Sequence, residues 1–106
     1  MEMHEVRYFL AVCDTLNFTR AAERCNVSQP SLTRAIQKLE GELGGLLFRR
    51  ERAATHLTDL GQLVRPQLQQ IARDANSVKS TAKSFLKMQD APLSLGIMAA
   101  TRSPLE

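Results

Sequence analysis

The sequence predicts a mainly α-helical fold, a winged helix-turn-helix followed by a long linker helix. Two segments between residues 17 and 42 carry apolar residues at helical spacing and are separated by a short polar turn. From Val64 to Phe85 apolar residues then alternate at intervals of three and four, which is typical of a helix that pairs with another helix. The expected domains are residues 1–57 (winged helix-turn-helix), 58–89 (linker and dimerisation helix) and 90–106 (hinge and first strand of a truncated domain).

Composition indicates one small domain with an appendage. Hydrophobic residues make up 43% of the 106 residues, and no apolar run is long enough to cross a bilayer. Acidic residues near the start argue against an export signal, and two cysteines fit a reducing compartment. We therefore expect a cytoplasmic protein without a membrane partner. The net charge of +3 is a mild excess, so any nucleic-acid signal depends on where the basic residues lie.

The first two helices are predicted from their apolar stripes. Residues 3–14 form the first helix, whose core-facing residues are Val6, Phe9, Leu10 and Cys13. Leu16 is expected to continue this stripe into the turn. Asn17 is suited to cap the second helix, because its side-chain oxygen can accept from free backbone amides. The second helix repeats the same spacing with Phe18, Ala21, Ala22 and Cys25.

A third helix is predicted to have one apolar and one polar face. Asn26 tolerates a left-handed turn, Ser28 caps the helix, Pro30 sits in its first turn and Gly44 ends it. Its apolar face consists of Leu32, Ala35, Ile36, Leu39 and Leu43. The other face carries side chains that can donate to base edges and phosphates: Gln29, Ser31, Thr33, Arg34, Gln37 and Lys38. This combination indicates a recognition helix for a DNA major groove.

The next segment is predicted to be a wing. Residues 46–48 and 56–57 are expected to form two short strands around a basic turn that contains Arg49, Arg50 and Arg52. A charged cluster is more often only a solvated surface. Its position directly after the helix pair favours the wing.

Thr58 then caps a long helix that is expected to run to Met88. Its seam consists of Val64, Leu68, Ile71, Ala75, Val78, Ala82 and Phe85. About thirty residues at roughly 1.5 Å each give a length of about 45 Å, more than the preceding small domain can cover. The alternatives are docking on an absent domain or pairing with a second copy, and we favour the second copy. Residues 93–97 alternate like a strand but have no second strand to pair with.

These residues resemble the N-terminal region of LysR-type transcriptional regulators. The matching positions are residues 18–22, 27–33, Ile36, 39–40, 43–44, 47–48, Arg50, 57–58 and Gly61. The resemblance implies a bacterial transcription regulator that binds an interrupted palindrome in double-stranded DNA as a homodimer, and forms a homotetramer at full length. It also implies an effector domain after residue 91 that binds a small molecule, and RNA polymerase as a further candidate partner. No cofactor and no metal are expected in this chain.

The resemblance also assigns roles to individual residues. Base edges in the major groove would be read by Gln29, Pro30, Thr33 and Arg34. Phosphate and wing contacts would come from Asn17, Thr19, Ser31, Gln37, Lys38, Arg50, Arg52, His56 and Thr58. For Ser28 a capping role alone is expected. The sequence departs from the family pattern at two places. Ala53 stands where the family has a basic wing residue, so the minor-groove contact shifts to Arg52 or is lost. After the first strand of the effector domain, where the family often has a hydroxyl residue, this chain has Ala99 and Ala100, and Thr101 is the nearest hydroxyl for an effector.

Three other classes of function compete with this interpretation. A redox or metal sensor would use His4, Cys13, Cys25 and His56, but both cysteines fall on core stripes and the spacing is not that of a zinc site. A helical interaction module would leave the basic cluster as a solvated face. An enzyme is the least expected class, because the sequence has no nucleophile–base set and no phosphate-binding glycine loop.

Overall fold

The computed structural model describes residues 1–89 of the chain. Its elements are α1 (Met3–Thr15), α2 (Phe18–Cys25), α3 (Gln29–Leu43), β1 (Phe48–Glu51), β2 (Ala54–Leu57) and α4 (Asp59–Gln89). The predicted fold class, helix-turn-helix with a two-stranded wing and a long final helix, is confirmed. The predicted strand at 93–97 and Thr101 lie outside the described residues. No helix within residues 1–89 combines the length and the hydrophobicity that a membrane span requires.

The chain divides into two compact units. The first covers Met1–Ala72 and the second begins at Arg73. The first unit therefore includes the opening turns of α4 as well as the winged helix-turn-helix.

The ends of α1 and α2 follow from their capping residues. Asn17 Oδ1 accepts a hydrogen bond from Arg20 N at 2.9 Å, which confirms the predicted cap. Asn26 adopts the expected left-handed conformation with φ of 60° and ends α2. The prediction for Leu16 is wrong: this residue is 46% exposed and left-handed, with φ of 51°. Its backbone N–H donates to Val12 O at 2.7 Å, so it closes α1 instead of joining the core.

The helix α3 has the predicted start and end. Ser28 Oγ accepts from Ser31 N at 3.2 Å, and Pro30 occupies the first turn, where the missing N–H costs little. Gly44 has φ of 84°, a conformation that favours glycine, and its N–H donates to Glu40 O at 2.8 Å. These local signals hold both ends of the helix in register with its apolar face.

One core lies between α1, α2 and α3 and is closed by the base of the wing. The fully buried apolar residues, each 0% exposed, are Val6, Phe9, Val12, Ala21, Leu32, Leu39 and Leu47. The ring of Phe48 lies 5.4 Å from that of Phe9 and 5.7 Å from that of Phe18, measured between centroids. The wing is therefore anchored to the helices by aromatic contacts as well as by the chain connection.

The wing is a two-stranded antiparallel hairpin. Phe48 pairs with Leu57, Arg49 with His56, Arg50 with Thr55, and Glu51 with Ala54. The predicted wide basic turn is wrong, because Arg49 and Arg50 belong to β1 and only Arg52 and Ala53 remain between the strands. Arg52 makes the turn with φ of 56°.

The start of α4 is fixed to the base of the wing through Thr58. Its hydroxyl donates to Leu46 O at 2.6 Å and accepts from Gly61 N at 3.0 Å, which confirms the predicted cap. Thr58 N donates to Leu47 O at 3.0 Å. A Cβ on Gly61 would lie 2.5 Å from that same carbonyl oxygen, so only glycine permits this approach.

Candidate nucleic-acid interface

The predicted base-contacting residues lie together at the beginning of α3. Gln29, Pro30, Thr33 and Arg34 are spaced so that they share one side of the helix, while Leu32 and Ile36 face the core. Gln29 Nε2 donates to Thr33 Oγ1 at 3.3 Å, which orients both side chains. Arg34 is exposed and takes part in no ion pair within the described residues. Its five N–H donors are therefore available to an external acceptor.

A cavity of about 200 Å³ separates the start of α2 from the wing. Its lining includes five of the residues predicted to contact DNA: Asn17, Thr19, Gln29, Arg50 and Arg52. No acidic residue lines it. The two guanidinium groups, one hydroxyl and two amides of these five residues suit a phosphate group, because each can donate a charge-assisted hydrogen bond to it.

Arg50 is held against an aromatic surface. Its guanidinium carbon lies 3.7 Å from the centroid of the Phe18 ring, and that ring meets the Phe48 ring edge to face. Such stacking orients a guanidinium while leaving its N–H groups free in the plane. Arg50 also lines a second cavity of about 210 Å³, together with Thr33 and Gln37 of α3.

Sequence reasoning treated Phe18 only as a core residue. Its ring packs against the Phe48 ring in the core and also supports Arg50, which lies over its face. A basic residue two places after a core-facing strand residue was the only signal that could have indicated this contact.

Lys38 lies apart from these cavities. Its Nζ is 3.7 Å from Oε2 of Glu5, a residue of α1 that is 0% exposed. Sequence reasoning did not foresee that Glu5 would be buried beneath α3.

The remaining predicted phosphate contacts are in different settings. Ser28 Oγ donates to Ser31 Oγ at 2.9 Å, so the Ser31 hydroxyl already has one partner at the start of α3. His56 is exposed on β2 opposite Arg49. The Thr58 hydroxyl is engaged at the junction between the wing and α4.

The residues of the sensor hypothesis are dispersed. Within residues 1–89 no group of three or more His, Cys, Asp or Glu could hold a metal ion. Cys13 is 6% exposed in the core, and burial raises the pKa of its thiol to about 12. Burial also raises the pKa of Cys25. Neither thiol has the lowered pKa of a reactive cysteine.

The family of the chain is decided by residues 3–62, which match the bacterial regulatory helix-turn-helix proteins of the lysR family. The match covers more than half of the chain. The chain belongs to the lysR family. This confirms the resemblance inferred from residues 18–61, and with it the prediction that the chain is not an enzyme.

The curated relatives of this lysR-family chain are regulators. The probable cat1 operon transcriptional activator of Acinetobacter lwoffii is 38% identical over 101 residues, which cover 95% of this chain and 33% of that protein. The DNA-binding transcriptional dual regulator OxyR of Escherichia coli strain K12 is 33% identical over 98 residues, 92% of this chain and 32% of that protein. The chain thus spans about a third of the length of these relatives.

Several solved structures to which the chain is similar contain DNA, and two of them are isolated DNA-binding domains. The complex of the CbnR DNA-binding domain with DNA superposes with a TM-score of 0.75 at 32% identity, over 81% of this chain and 99% of that one. The complex of the BenM DNA-binding domain with catB site 1 DNA gives a TM-score of 0.76 at 32% identity, over 81% of this chain and 97% of that one. The likeness therefore extends over essentially the whole of both DNA-binding domains.

The predicted seam of α4 is only partly available to a second chain. Leu68 is 3% exposed and Val64 packs against the same core, so both are used within the first unit. Ile71 is 39% exposed. Leu63, which the prediction omitted, is 71% exposed and lies eight residues before Ile71, just over two turns away and so on the same side. The heptad pattern alone could not separate residues that face the core from those that face outward.

In the second unit, α4 presents exposed apolar side chains. Val78 is 68% exposed and Leu86 is 61% exposed. An open apolar hollow of about 460 Å³ is lined by Ser77, Val78, Thr81, Ala82 and Phe85. Large aliphatic residues exposed along one helix are typical of a surface that another helix covers.

Proposed function

We propose that this chain is the DNA-binding part of a transcription regulator and that it binds double-stranded DNA in a sequence-specific manner. The proposal rests mainly on one observation. Gln29 at the start of α3 lines the same cavity as Arg50 and Arg52, and no carboxylate lines that cavity. The CbnR and BenM complexes support it, because their DNA-binding domains share this fold.

In this proposal α3 enters the major groove with its first turns. Arg34, exposed and unpaired within residues 1–89, forks onto guanine O6 and N7. Gln29, held by Thr33, pairs with adenine through its amide oxygen and its second N–H. Pro30 offers its ring to a thymine methyl group, and the Thr33 hydroxyl donates to a neighbouring base. The Gln29–Thr33 hydrogen bond reduces the entropy lost when the base contacts form.

Phosphate contacts fix the register of the helix without reading sequence. We assign them to Asn17, Thr19, Ser31, Gln37, Arg50, Arg52 and His56. The predicted contact from Thr58 is left out, because its hydroxyl and its N–H both donate within the chain. Arg50 and Arg52 are the strongest members, because they carry full charges beside the start of α2. Arg52, at the left-handed tip of the wing, takes the minor-groove role that Ala53 cannot fill.

Pairing through α4 supplies two recognition helices to one operator. We propose a homodimer in which α4 of one chain covers Ile71, Ala75, Val78, Ala82 and Phe85 of the other, with Leu63 at the margin. The domain boundaries predicted from the sequence, with a linker helix at 58–89 and an effector domain beyond residue 90, belong to the same proposal. So do the homotetramer of the full-length regulator, its small-molecule effector and RNA polymerase as a partner.

Selection of binding sites from a pool of random DNA duplexes tests the proposal. We expect an interrupted palindrome to be enriched, because two α3 helices related by a two-fold axis read inverted half-sites. The Arg34→Ala variant serves as the matched control and should lose enrichment at one base pair of each half-site. A pool that stays random after selection with the unmodified chain would refute sequence-specific binding, and enrichment of single half-sites would refute the dimer.

A further inference from the structure

Glu5 is the only buried charged residue among residues 1–89. It lies on α1, is 0% exposed, and neither of its carboxylate oxygens has a hydrogen-bond partner in the described chain. A carboxylate in that setting has lost its hydration without replacing it, so it needs a compensating charge nearby. The fold places the Lys38 ammonium of α3 there, with Nζ at 3.7 Å from Oε2, and the Met1 amine also interacts with this carboxylate, which helps to raise the pKa of the amine.

We propose that Glu5 is a positioning residue that holds Lys38 against α1 and withholds its charge from bound DNA. The inference rests on the proposed DNA-binding function and deepens it. It replaces the sequence-based prediction that Lys38 is a phosphate contact. The recognition helix then presents Arg34 to the groove, while Lys38 serves to neutralise the buried carboxylate.

The environments of the two members explain why the pair should persist on DNA. The Lys38 side chain is 63% exposed, so a phosphate could approach it, but moving the ammonium away would leave the buried Glu5 without its ion-pair partner on α3. A DNA phosphate that is not contacted by Lys38 pays a smaller free-energy cost, because it keeps its counterions. The Glu5–Lys38 pair should therefore be more stable than a contact between Lys38 and a phosphate.

A second carboxylate strengthens this bias. Glu42, one turn after Lys38 on α3, bonds the N-terminal amine through Oε2 at 2.8 Å. That hydrogen bond is the main reason that the pKa of Glu42 is lowered, and the neighbouring Glu5 carboxyl group and the charge of Lys38 contribute to the same effect. Lys38 thus lies between two acids. By contrast, no acidic residue lines the cavity beside Arg50 and Arg52.

The salt dependence of DNA binding distinguishes a withheld charge from a used one. The slope of log K against log salt changes by about 0.9 for each phosphate that the protein neutralises on duplex DNA. We would measure it by fluorescence anisotropy with a labelled random-sequence duplex. Lys38→Gln should leave the slope of the unmodified chain unchanged, whereas Arg50→Gln should reduce its magnitude by about 0.9 for each bound chain, or about 1.8 for the proposed dimer. Glu5→Gln should increase it by the same amount, which for each bound chain makes binding about threefold more sensitive to a change from about 50 to about 200 mM salt.

Two controls separate this effect from net charge and from folding. Glu42→Gln changes the net charge as much as Glu5→Gln does but leaves the buried carboxylate in place, so it should steepen the slope clearly less than Glu5→Gln does. The double variant Glu5→Gln/Lys38→Gln should return to the unmodified slope. Circular dichroism confirms folding of each variant, and if Glu5→Gln does not fold, the comparison of Lys38→Gln with Arg50→Gln decides alone.

The inference is overturned if Lys38→Gln flattens the slope as much as Arg50→Gln, or if a folded Glu5→Gln leaves the slope unchanged. It is also overturned if Glu42→Gln steepens the slope as much as Glu5→Gln does. Those outcomes leave the proposed function intact, because the unmodified chain still binds DNA with a salt-dependent affinity. Absence of salt-dependent binding by the unmodified chain would instead refute both.

Discussion

Replacing Gly61 with alanine should destabilise the protein, although alanine is the better helix former. A Cβ at Gly61 would lie 2.5 Å from Leu47 O and 2.7 Å from Leu57 Cδ1. Leu57 can change rotamer, but the carbonyl cannot retreat without weakening the hydrogen bond it accepts from Thr58 N at 3.0 Å. Overpacking of this kind costs about 1–3 kcal/mol, while the propensity gain is at most about 1 kcal/mol and smaller in the first turn. We expect a net loss of about 2 kcal/mol.

Gly41 provides the matched control in the same chain. It lies inside α3, and a Cβ at this position would have no atom within 4 Å, so Gly41→Ala should stabilise the protein by about 1 kcal/mol through helix propensity. For a domain of this size each kcal/mol shifts Tm by about 4–8 °C, so Gly61→Ala should lower Tm by about 8–16 °C and Gly41→Ala should raise it by about 4–8 °C.

Thermal unfolding followed by circular dichroism measures both variants. All samples need one protein concentration, because the Tm of an associating chain depends on it. The opposite signs are the decisive result. If Gly61→Ala were as stable as the unmodified chain or more stable, the tight junction between the wing and α4 would be wrong.

Three further predictions concern binding, assembly and thiol chemistry. Arg34→Ala should lose about 1–3 kcal/mol of discrimination at one base pair, seen as a relaxed preference in competition binding, and an equal loss on selected and random duplexes would argue against base reading. Val78→Asp should give monomers by light scattering, because it places a charge in the proposed pairing surface of α4. Ser80→Asp, on the opposite side of α4, should leave the dimer intact. A dimer that survives Val78→Asp would exclude pairing through this surface. Burial raises the pKa of Cys13 to about 12, so this thiol should resist a disulfide reagent near about pH 8 until the protein unfolds. The half-buried Cys25 should react sooner. Equal reaction rates of the two thiols in the folded protein would contradict the assignment of Cys13 to the core.

The elements that local chemistry determines could be predicted from the sequence. Asn17 and Ser28 cap their helices through hydrogen bonds to residues three places later, and Gly44 ends α3 because its backbone is left-handed. Each of these features is encoded within a few residues, and none requires knowledge of the rest of the chain. The same applies to the exposed side of α3, since helical periodicity places Arg34 opposite Leu32 and Ile36.

The features that could not be predicted are set by contacts between distant residues. Leu16 looked apolar enough to extend a stripe, but closure of α1 turned it outward. The wing strands extend through Arg49 and Arg50 because pairing with β2 supplies their backbone partners, which the weak turn chemistry did not reveal. Val64 and Leu68 fit a heptad, yet whether such positions face a core or a partner depends on what lies beside the helix.

The charges on α3 show most clearly why the candidate site needs the fold. In the sequence, Arg34 and Lys38 are equivalent, two basic residues one turn apart on a polar face. In the fold, Arg34 has no ion-pair partner within residues 1–89, while Lys38 meets a carboxylate 33 positions earlier that is 0% exposed. If the proposed pairing holds on DNA, a count of basic residues overestimates the positive charge that α3 offers to it. Affinity should come mainly from the wing arginines, and α3 should contribute mainly discrimination between sequences.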